Sequence, residues 1–120
     1  MSDKQVLDYM QTVNSIHPDA SVEEAVQKMS SEGKDVLFIK QENEYTGIFT
    51  KTDLIKLLEK NINPAEVSVS TVMSKSILSI DASASVKEVR ERMIEKKLRH
   101  YAVTQNGNIV GVISILDMDS

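Results

Sequence analysis

The sequence predicts an α/β fold of mixed sheets, built from two copies of one β-α-β-β-α unit. Three observations predict it. The segment Gly47-Ile48-Phe49-Thr50-Lys51-Thr52-Asp53 returns as Gly111-Val112-Ile113-Ser114-Ile115-Leu116-Asp117, 64 positions on, and the same offset pairs Ser15 with Ser79, Ala20-Ser21-Val22 with Ala84-Ser85-Val86, Glu24 with Glu88 and Met29 with Met93. No gap is needed from Ser15 to Asp53, so one structural unit is present twice. Each copy also opens a helix with Ser-x-x-Glu ahead of apolar residues at helical spacing. Each then carries two short apolar runs divided by a polar turn.

Taken in order, Lys4 to Met10 fits a short lead-in helix with Val6, Leu7 and Met10 on its apolar side, and Val13 to Ile16 a short strand. His17-Pro18-Asp19 is a turn, because proline fixes its own φ and biases His17 away from the helical region. Ser21 caps a helix to about Glu32, with Val22, Ala25, Val26 and Met29 as its buried stripe and Gly33 as its stop. Val36 to Ile39 is continuously apolar, as in a strand buried on both faces. Gln41 to Glu44 turns the chain, Tyr45 to Phe49 returns it, and Thr50 opens a helix through Leu54, Ile55, Leu57 and Leu58. Four large apolar residues in five positions exceed one core-facing stripe, so part of that helix is expected against another subunit or domain.

The second copy follows the same course. Val72-Met73 and Ile77 to Ile80 lead in, Ser85…Glu88 repeats the capping box, and Val86, Val89, Met93 and Ile94 repeat the stripe. His100 to Thr104 and Ile109 to Ile113 are the paired strands, joined by the hairpin signal Asn106-Gly107. The helix after Asp117 is almost absent before the chain stops at Ser120. A helix between strands allows a parallel pair and a short turn enforces an antiparallel one, which makes each sheet mixed. The expected boundaries are 1–60 for the first repeat, 61–70 for the linker and 71–120 for the second repeat.

Composition narrows the function classes. With 120 residues, 41% of them hydrophobic, the chain has the size of one globular domain, while a single repeat would bury only about 60% of its unfolded surface. The two repeats are therefore expected to fold together. The absence of cysteine removes disulfides, thiolate catalysis and thiolate metal sites, and no secretory signal is visible, so a cytoplasmic protein is expected. A net charge of −4 gives no general attraction to nucleic acid or an anionic membrane, and no apolar run is long enough to span a bilayer. The two histidines, His17 and His100, show no metal spacing with acidic partners, and four unclustered glycines form no phosphate loop or dinucleotide fingerprint. No catalytic or metal-binding residue is expected, and an enzyme is disfavoured.

The repeated strand-to-helix turn suits a sugar phosphate. A helix start presents backbone N–H groups and partial positive charge to a phosphate, a hydroxyl adds a donor, and an ionised aspartate accepts from ribose hydroxyls. The same spacing, Thr50…Asp53 and Ser114…Asp117, also describes an ordinary N-terminal cap.

These features together, a tandem β-α-β-β-α unit, Gly-apolar-apolar-Thr/Ser-x-x-Asp twice, and helices entering as Ala-Ser-Val-x-Glu, resemble the tandem CBS domain family, or Bateman module, from about residue 10 to 118. The resemblance implies two repeats packed as a pseudo-symmetric pair, a regulatory sensor of AMP, ADP, ATP or S-adenosylmethionine binding between them, and a homodimer. It also implies crosswise sites. The main one would take Ile48, Thr50 and Asp53 from the first copy and Met73, Ile77, Leu78, Leu98, Arg99 and His100 from the second. A weaker one would take Val112, Ser114 and Asp117 together with Tyr9, Val13, Asn14, Lys34, Asp35 and Val36. There Asn14 replaces Leu78, Lys34 replaces Leu98 and Asp35 replaces Arg99, and a carboxylate facing a phosphate repels it by roughly 1–4 kcal/mol at about 4 Å. One well-formed nucleotide site per chain is expected, with AMP or ADP suited to the Arg99–His100 cluster. A truncated last helix points either to a chain cut from a longer protein, with a downstream effector domain or partner protein, or to a dimer that relies on the other helices.

Overall fold

A computed structural model describes residues 4–115; Asp117 and the helix expected after it lie outside the described residues. The chain divides into two compact units, Asn14–Ser76 and a second one made of Met1–Val13 with Ile77–Ser120. They are called here the central and the outer unit, after their positions in the sequence. The division does not follow the repeats alone. Residues 4–13, which precede the first copy, pack with the second, and the segment ending at Ser76 packs with the first.

In the central unit, β1 (Ser15–Ile16) pairs parallel with β2 (Val36–Gln41), which pairs antiparallel with β3 (Glu44–Thr50). Between β1 and β2 lies α1 (Val22–Glu32). Ser21 accepts from the Glu24 N–H at 3.1 Å while the Glu24 carboxylate reaches back to Ser21, and Gly33 ends the helix at φ 64° in the left-handed region. The expected box and stop are both in place. The helix α2 (Lys51–Glu59) follows β3, and the short α3 (Val69–Val72) closes the unit. Leu37 and Ile39 of β2 pack with Val22, Ala25, Met29, Phe49, Leu57 and Val69. Val36 and Phe38, on the other face, are buried as well, so β2 is covered on both sides as its unbroken apolar run predicts. On α2, Leu57 is buried, but Ile55 and Leu58 are each 51% exposed. The central unit leaves them uncovered, as the excess of apolar residues implied.

In the outer unit, β4 (Ser79–Asp81) pairs parallel with β5 (His100–Gln105), which pairs antiparallel with β6 (Asn108–Ser114), and α4 (Val86–Lys96) joins the first two. The register repeats the central unit's residue for residue: Ser15 faces Phe38 as Ser79 faces Ala102, and the ladders slip after Ile39 and Val103 alike. Val89, Met93, Tyr101, Val103 and Ile113 form the core. Two details depart from the sequence reading. Ser85 accepts from the Glu88 N–H, but the Glu88 carboxylate takes an i,i+4 bond from Arg92 at 3.2 Å, so the second capping box is half made. Ile94 is 64% exposed, since it stands one position past Met93 and off the buried stripe.

The lead-in is also not the helix the sequence suggested. Only Val6–Asp8 is helical, as one 3-10 turn, and its tighter winding turns Leu7 outward, 42% exposed, while Val6 is fully buried with Ile80, Ala82 and Val89. Backbone bonds from Val6 to Ala84 and from Leu7 to Ala82 fasten it.

Candidate functional site

The turn from β3 into α2 carries the site's best-formed part. Thr50 is the N-cap residue, extended at φ −122° and ψ 167°, and its hydroxyl accepts from the Asp53 N–H at 3.3 Å. Asp53 Oδ2 accepts from the Thr50 N–H at 2.9 Å and from the Thr50 hydroxyl at 3.1 Å. Both side chains are half-buried. The capping reading is therefore realised, and it fixes the carboxylate's orientation by bonds that all fall on Oδ2. It also engages donors of the expected anion cradle. The Thr50 proton points at Asp53, the Asp53 N–H at Thr50, and the Lys51 N–H at the Asp35 carbonyl, 3.1 Å away, so the hydroxyl and two of the helix's first N–H groups are already occupied. What remains at this turn is an oriented acceptor, suited to hydroxyl groups more than to a phosphate.

Gly47 lies inside β3, as the expected strand Tyr45 to Phe49 has it, and the space beside it is taken. A Cβ there would overlap the Met73 sulfur and stand 2.9 Å from the Ser74 carbonyl oxygen. Met73 and Ser74 run alongside the strand, with Ile48 and Ser74 exchanging N–H···O bonds of 2.9 Å in both directions. The same arrangement occurs in the outer unit, where a Cβ on Gly111 would meet the Met10 sulfur at 2.6 Å and the Gln11 carbonyl at 2.9 Å, and Gln11 pairs with Val112. Met10 is thus the counterpart of Met73. The sequence reading had carried the 64-residue offset back to Tyr9, but the lead-ins keep an offset of 63 up to Gln11 and Ser74 and return to 64 at Asn14 and Leu78, which accept from Phe38 and Ala102 respectively. Glycine inside a strand is the sign of close backbone approach that pointed here.

The structure brings Ile48, Thr50, Asp53 and Met73 of the main site onto one unit, with Ile48 bridged to Ser74, the residue after Met73. Asn14, Lys34, Asp35 and Val36 of the weaker set belong to that unit too; Val36 is buried and pairs with Thr50, and Asp35 is exposed. Ile77, Leu78, Leu98, Arg99 and His100 lie in the outer unit with Tyr9, Val13, Val112 and Ser114. There Leu98 packs on the core, Arg99 and Leu78 are exposed, and His100 pairs with Ser114 in the β5–β6 ladder. The Ile115 N–H donates to the Arg99 carbonyl, the counterpart of Lys51 and Asp35. Asp117 falls outside the described residues. Tyr9 also lies under the Lys4 ammonium, 5.6 Å from the ring centroid, and their hydrogen bond raises the Lys4 pKa from its ordinary value.

An open groove of about 590 Å³ on the outer unit, along Ser79, Asp81, Ser83, Ser85, Glu88 and Arg92, contains none of the expected site residues. Among the described residues, no group of three His, Asp or Glu side chains is placed to hold a metal ion, and no helix is long and apolar enough to cross a membrane.

Two three-stranded mixed sheets with matching registers define a class, the duplicated β-α-β-β-α proteins. The CBS domain model matches residues 6–60 and 69–119, and the chain belongs to the CBS domain family. An uncharacterised protein of Methanopyrus kandleri is 28% identical over 104 residues, covering 84% of this chain and 53% of that protein. The chain spans about half the length of that relative and less of several others. A conserved protein of Pyrococcus horikoshii superposes with a TM-score of 0.90 at 24% identity, covering 98% of this chain and 92% of that one. The CBS domain pair of protein MJ0100, solved in complex with 5′-methylthioadenosine and S-adenosyl-L-methionine, gives a TM-score of 0.85 at 20% identity over 98% of this chain and 94% of that one. At such identities the likeness is one of fold.

Proposed function

We propose that the chain is a regulatory module, without catalysis of its own, that senses an adenosine ligand and works as a homodimer in the cytoplasm. The observation that carries this is the half-buried Asp53 carboxylate, held by Thr50 at the head of α2 and oriented before any ligand arrives. An anchored acceptor of this kind costs a ribose little to recognise, because no side chain needs to be ordered on binding. Ile48 and Met73 supply apolar surface beside it, and the family resemblance adds Ile77, Leu78 and Leu98 for the base and Arg99 and His100 for phosphate. The adenosine ligands bound to protein MJ0100 support the ligand class. With the Thr50 hydroxyl and the Lys51 and Asp53 N–H groups engaged as described, the phosphate is assigned to Arg99 and His100, a cluster that suits one or two phosphates, as in AMP or ADP, better than three. ATP and S-adenosylmethionine are the competing members of the class. The weaker set, with Asp35 where the main site has Arg99, is assigned no nucleotide.

A thermal-shift panel with AMP, ADP, ATP and S-adenosylmethionine tests the reading. Ligand at about 100 times its dissociation constant adds roughly 2.7 kcal/mol, which is several degrees for a chain of this size. Asp53→Asn keeps an acceptor for the Thr50 N–H and loses the charge, so it should abolish the shift while the unliganded protein melts close to wild type. Flat curves with all four ligands would leave the second reading, a pairing module without a ligand. That reading is favoured by one observation, the half-exposed Ile55 and Leu58 on α2.

A further inference from the structure

Two methionines, one in each unit, lie against the bare backbone of a glycine. Met73 covers Gly47 and Met10 covers Gly111, so closely that a Cβ on either glycine would collide with the sulfur. An unbranched, polarizable thioether can lie along such a surface where a branched side chain could not. The neighbouring sequences, Tyr9-Met10-Gln11 and Val72-Met73-Ser74, share only the methionine, yet each makes the same isolated bridge to its strand, Gln11 to Val112 and Ser74 to Ile48. A sulfur already in contact with backbone has no room for an additional oxygen on that side.

The chain's other described methionines sit differently. Met29 and Met93, 6% and 1% exposed, are core residues of α1 and α4, so solvent reaches them only when a whole core opens. Met10 and Met73 pack only at the margins of those cores, half-buried, and each stands next to a single bridge. Local opening there breaks two backbone hydrogen bonds and costs a fraction of global unfolding. No cysteine in the chain competes for an oxidant.

We infer that Met10 and Met73 are oxidation-sensitive latches: conversion of either thioether to the sulfoxide by a peroxide releases its lead-in segment from the adjoining strand. A sulfur lone pair attacks one oxygen of hydrogen peroxide, the O–O bond breaks, and the departing hydroxide gains the proton of the transferred oxygen and leaves as water. The sulfur is oxidised by two electrons and the peroxide is reduced. The product is larger and polar, and it no longer fits the glycine surface. Met10 and Met73 thereby become modification sites that couple peroxide to the attachment of residues 4–13 and of the segment before Ser76.

The test uses the full chain in hydrogen peroxide, with sulfoxide at each methionine followed by peptide mass spectrometry and amide exchange read at Gln11, Ile48, Ser74 and Val112. Sulfoxide should form roughly tenfold faster at Met10 and Met73 than at Met29 and Met93. Exchange at the four amides should rise in step and fall again after treatment with a methionine sulfoxide reductase. Equal rates at all four methionines, or oxidation of Met10 and Met73 with unchanged amide protection, overturns the inference. In a Met10→Leu/Met73→Leu variant, whose branched side chains set their own starting level of exchange, peroxide should leave that level at the four amides unchanged, and a peroxide-induced rise matching the wild type overturns it as well. Should that variant not fold, the time course on the unaltered chain decides alone.

Discussion

The central and outer units share a backbone and differ in what they place on it. Ladder registers, helix bounds and the slip after the fourth residue pair of the hairpin agree position for position, yet Phe38 faces Ile48 where Ala102 faces Val112, Gly33 ends α1 where Lys97 ends α4, and His17 stands where Asp81 does. Backbone geometry is set by features that tolerate substitution, such as a cap, a periodic stripe and a turn of fixed length. Local chemistry and stability are set by single residues. Exchanging a residue of one unit for its counterpart in the other therefore measures what the shared backbone tolerates.

The largest effect is expected at Phe38, which is fully buried and meets Tyr45 edge to face, with ring centroids 5.4 Å apart at 68°. Phe38→Ala copies Ala102 but keeps the central unit's other side chains, so nothing refills the space. A loss of about 3–5 kcal/mol is expected in urea denaturation at unchanged m-value. A loss under about 1 kcal/mol would mean that the two units are packed interchangeably at this position, and the contrast would fail.

A smaller effect of opposite sign is expected at Lys97. Its φ of 55° and ψ of 39° place a side-chain-bearing residue in the left-handed region that Gly33 occupies in the central unit without a Cβ. Lys97→Gly should raise stability by about 0.5–1 kcal/mol, because relief of the steric cost exceeds the entropy glycine returns to the unfolded chain. No gain would show that the Lys97 side chain offsets its own strain by another route.

Much of this backbone is legible in the sequence, and all but one of the misses share a physical cause. Ser21, Gly33, the continuous run Val36 to Ile39 and the pair Thr50…Asp53 are local signals, decided within one turn or strand, and each appears where the sequence reading places it. The exchange of lead-ins, the offset of 63 at Met10 and the approach of Met73 to Gly47 depend on contacts between segments distant in sequence, which no periodicity encodes. Lys97 is a miss of another kind, since its sequence gives no sign of a left-handed residue and only the match with Gly33 points to it. In the candidate site, the Thr50–Asp53 pairing was readable from spacing. Its consequence, that the hydroxyl and early N–H groups are satisfied internally, was not, because Lys51 finds its acceptor at Asp35, on the far side of a hairpin.

The smallest effect is expected at the turn before each long helix, and it depends on pH. His17 Nδ1 accepts from the Asp19 N–H at 3.1 Å, and its counterpart Asp81 accepts from the Ser83 N–H at 2.9 Å and from the Ser83 hydroxyl at 2.5 Å. The two units thus close one turn with a ring nitrogen and a carboxylate. The bond from the Ser83 hydroxyl, and then that from its backbone, holds the Asp81 carboxyl below its ordinary pKa. The folded state consequently binds that proton less readily than the unfolded chain does. The stabilisation is complete above the unfolded carboxylate value, near about 3.9, and is lost as pH falls through the lower folded value. Asp81→Asn should therefore melt slightly below wild type at neutral pH, with the difference shrinking as pH drops below about 4. Because Asp81 is fully exposed, the gap will be small, and paired melting curves at several pH values are needed to resolve it. A gap that stays constant down to the acid limit would show that the Ser83 bonds do not discriminate between the two protonation states, and that the turns of the two units are equivalent in energy as well as in shape.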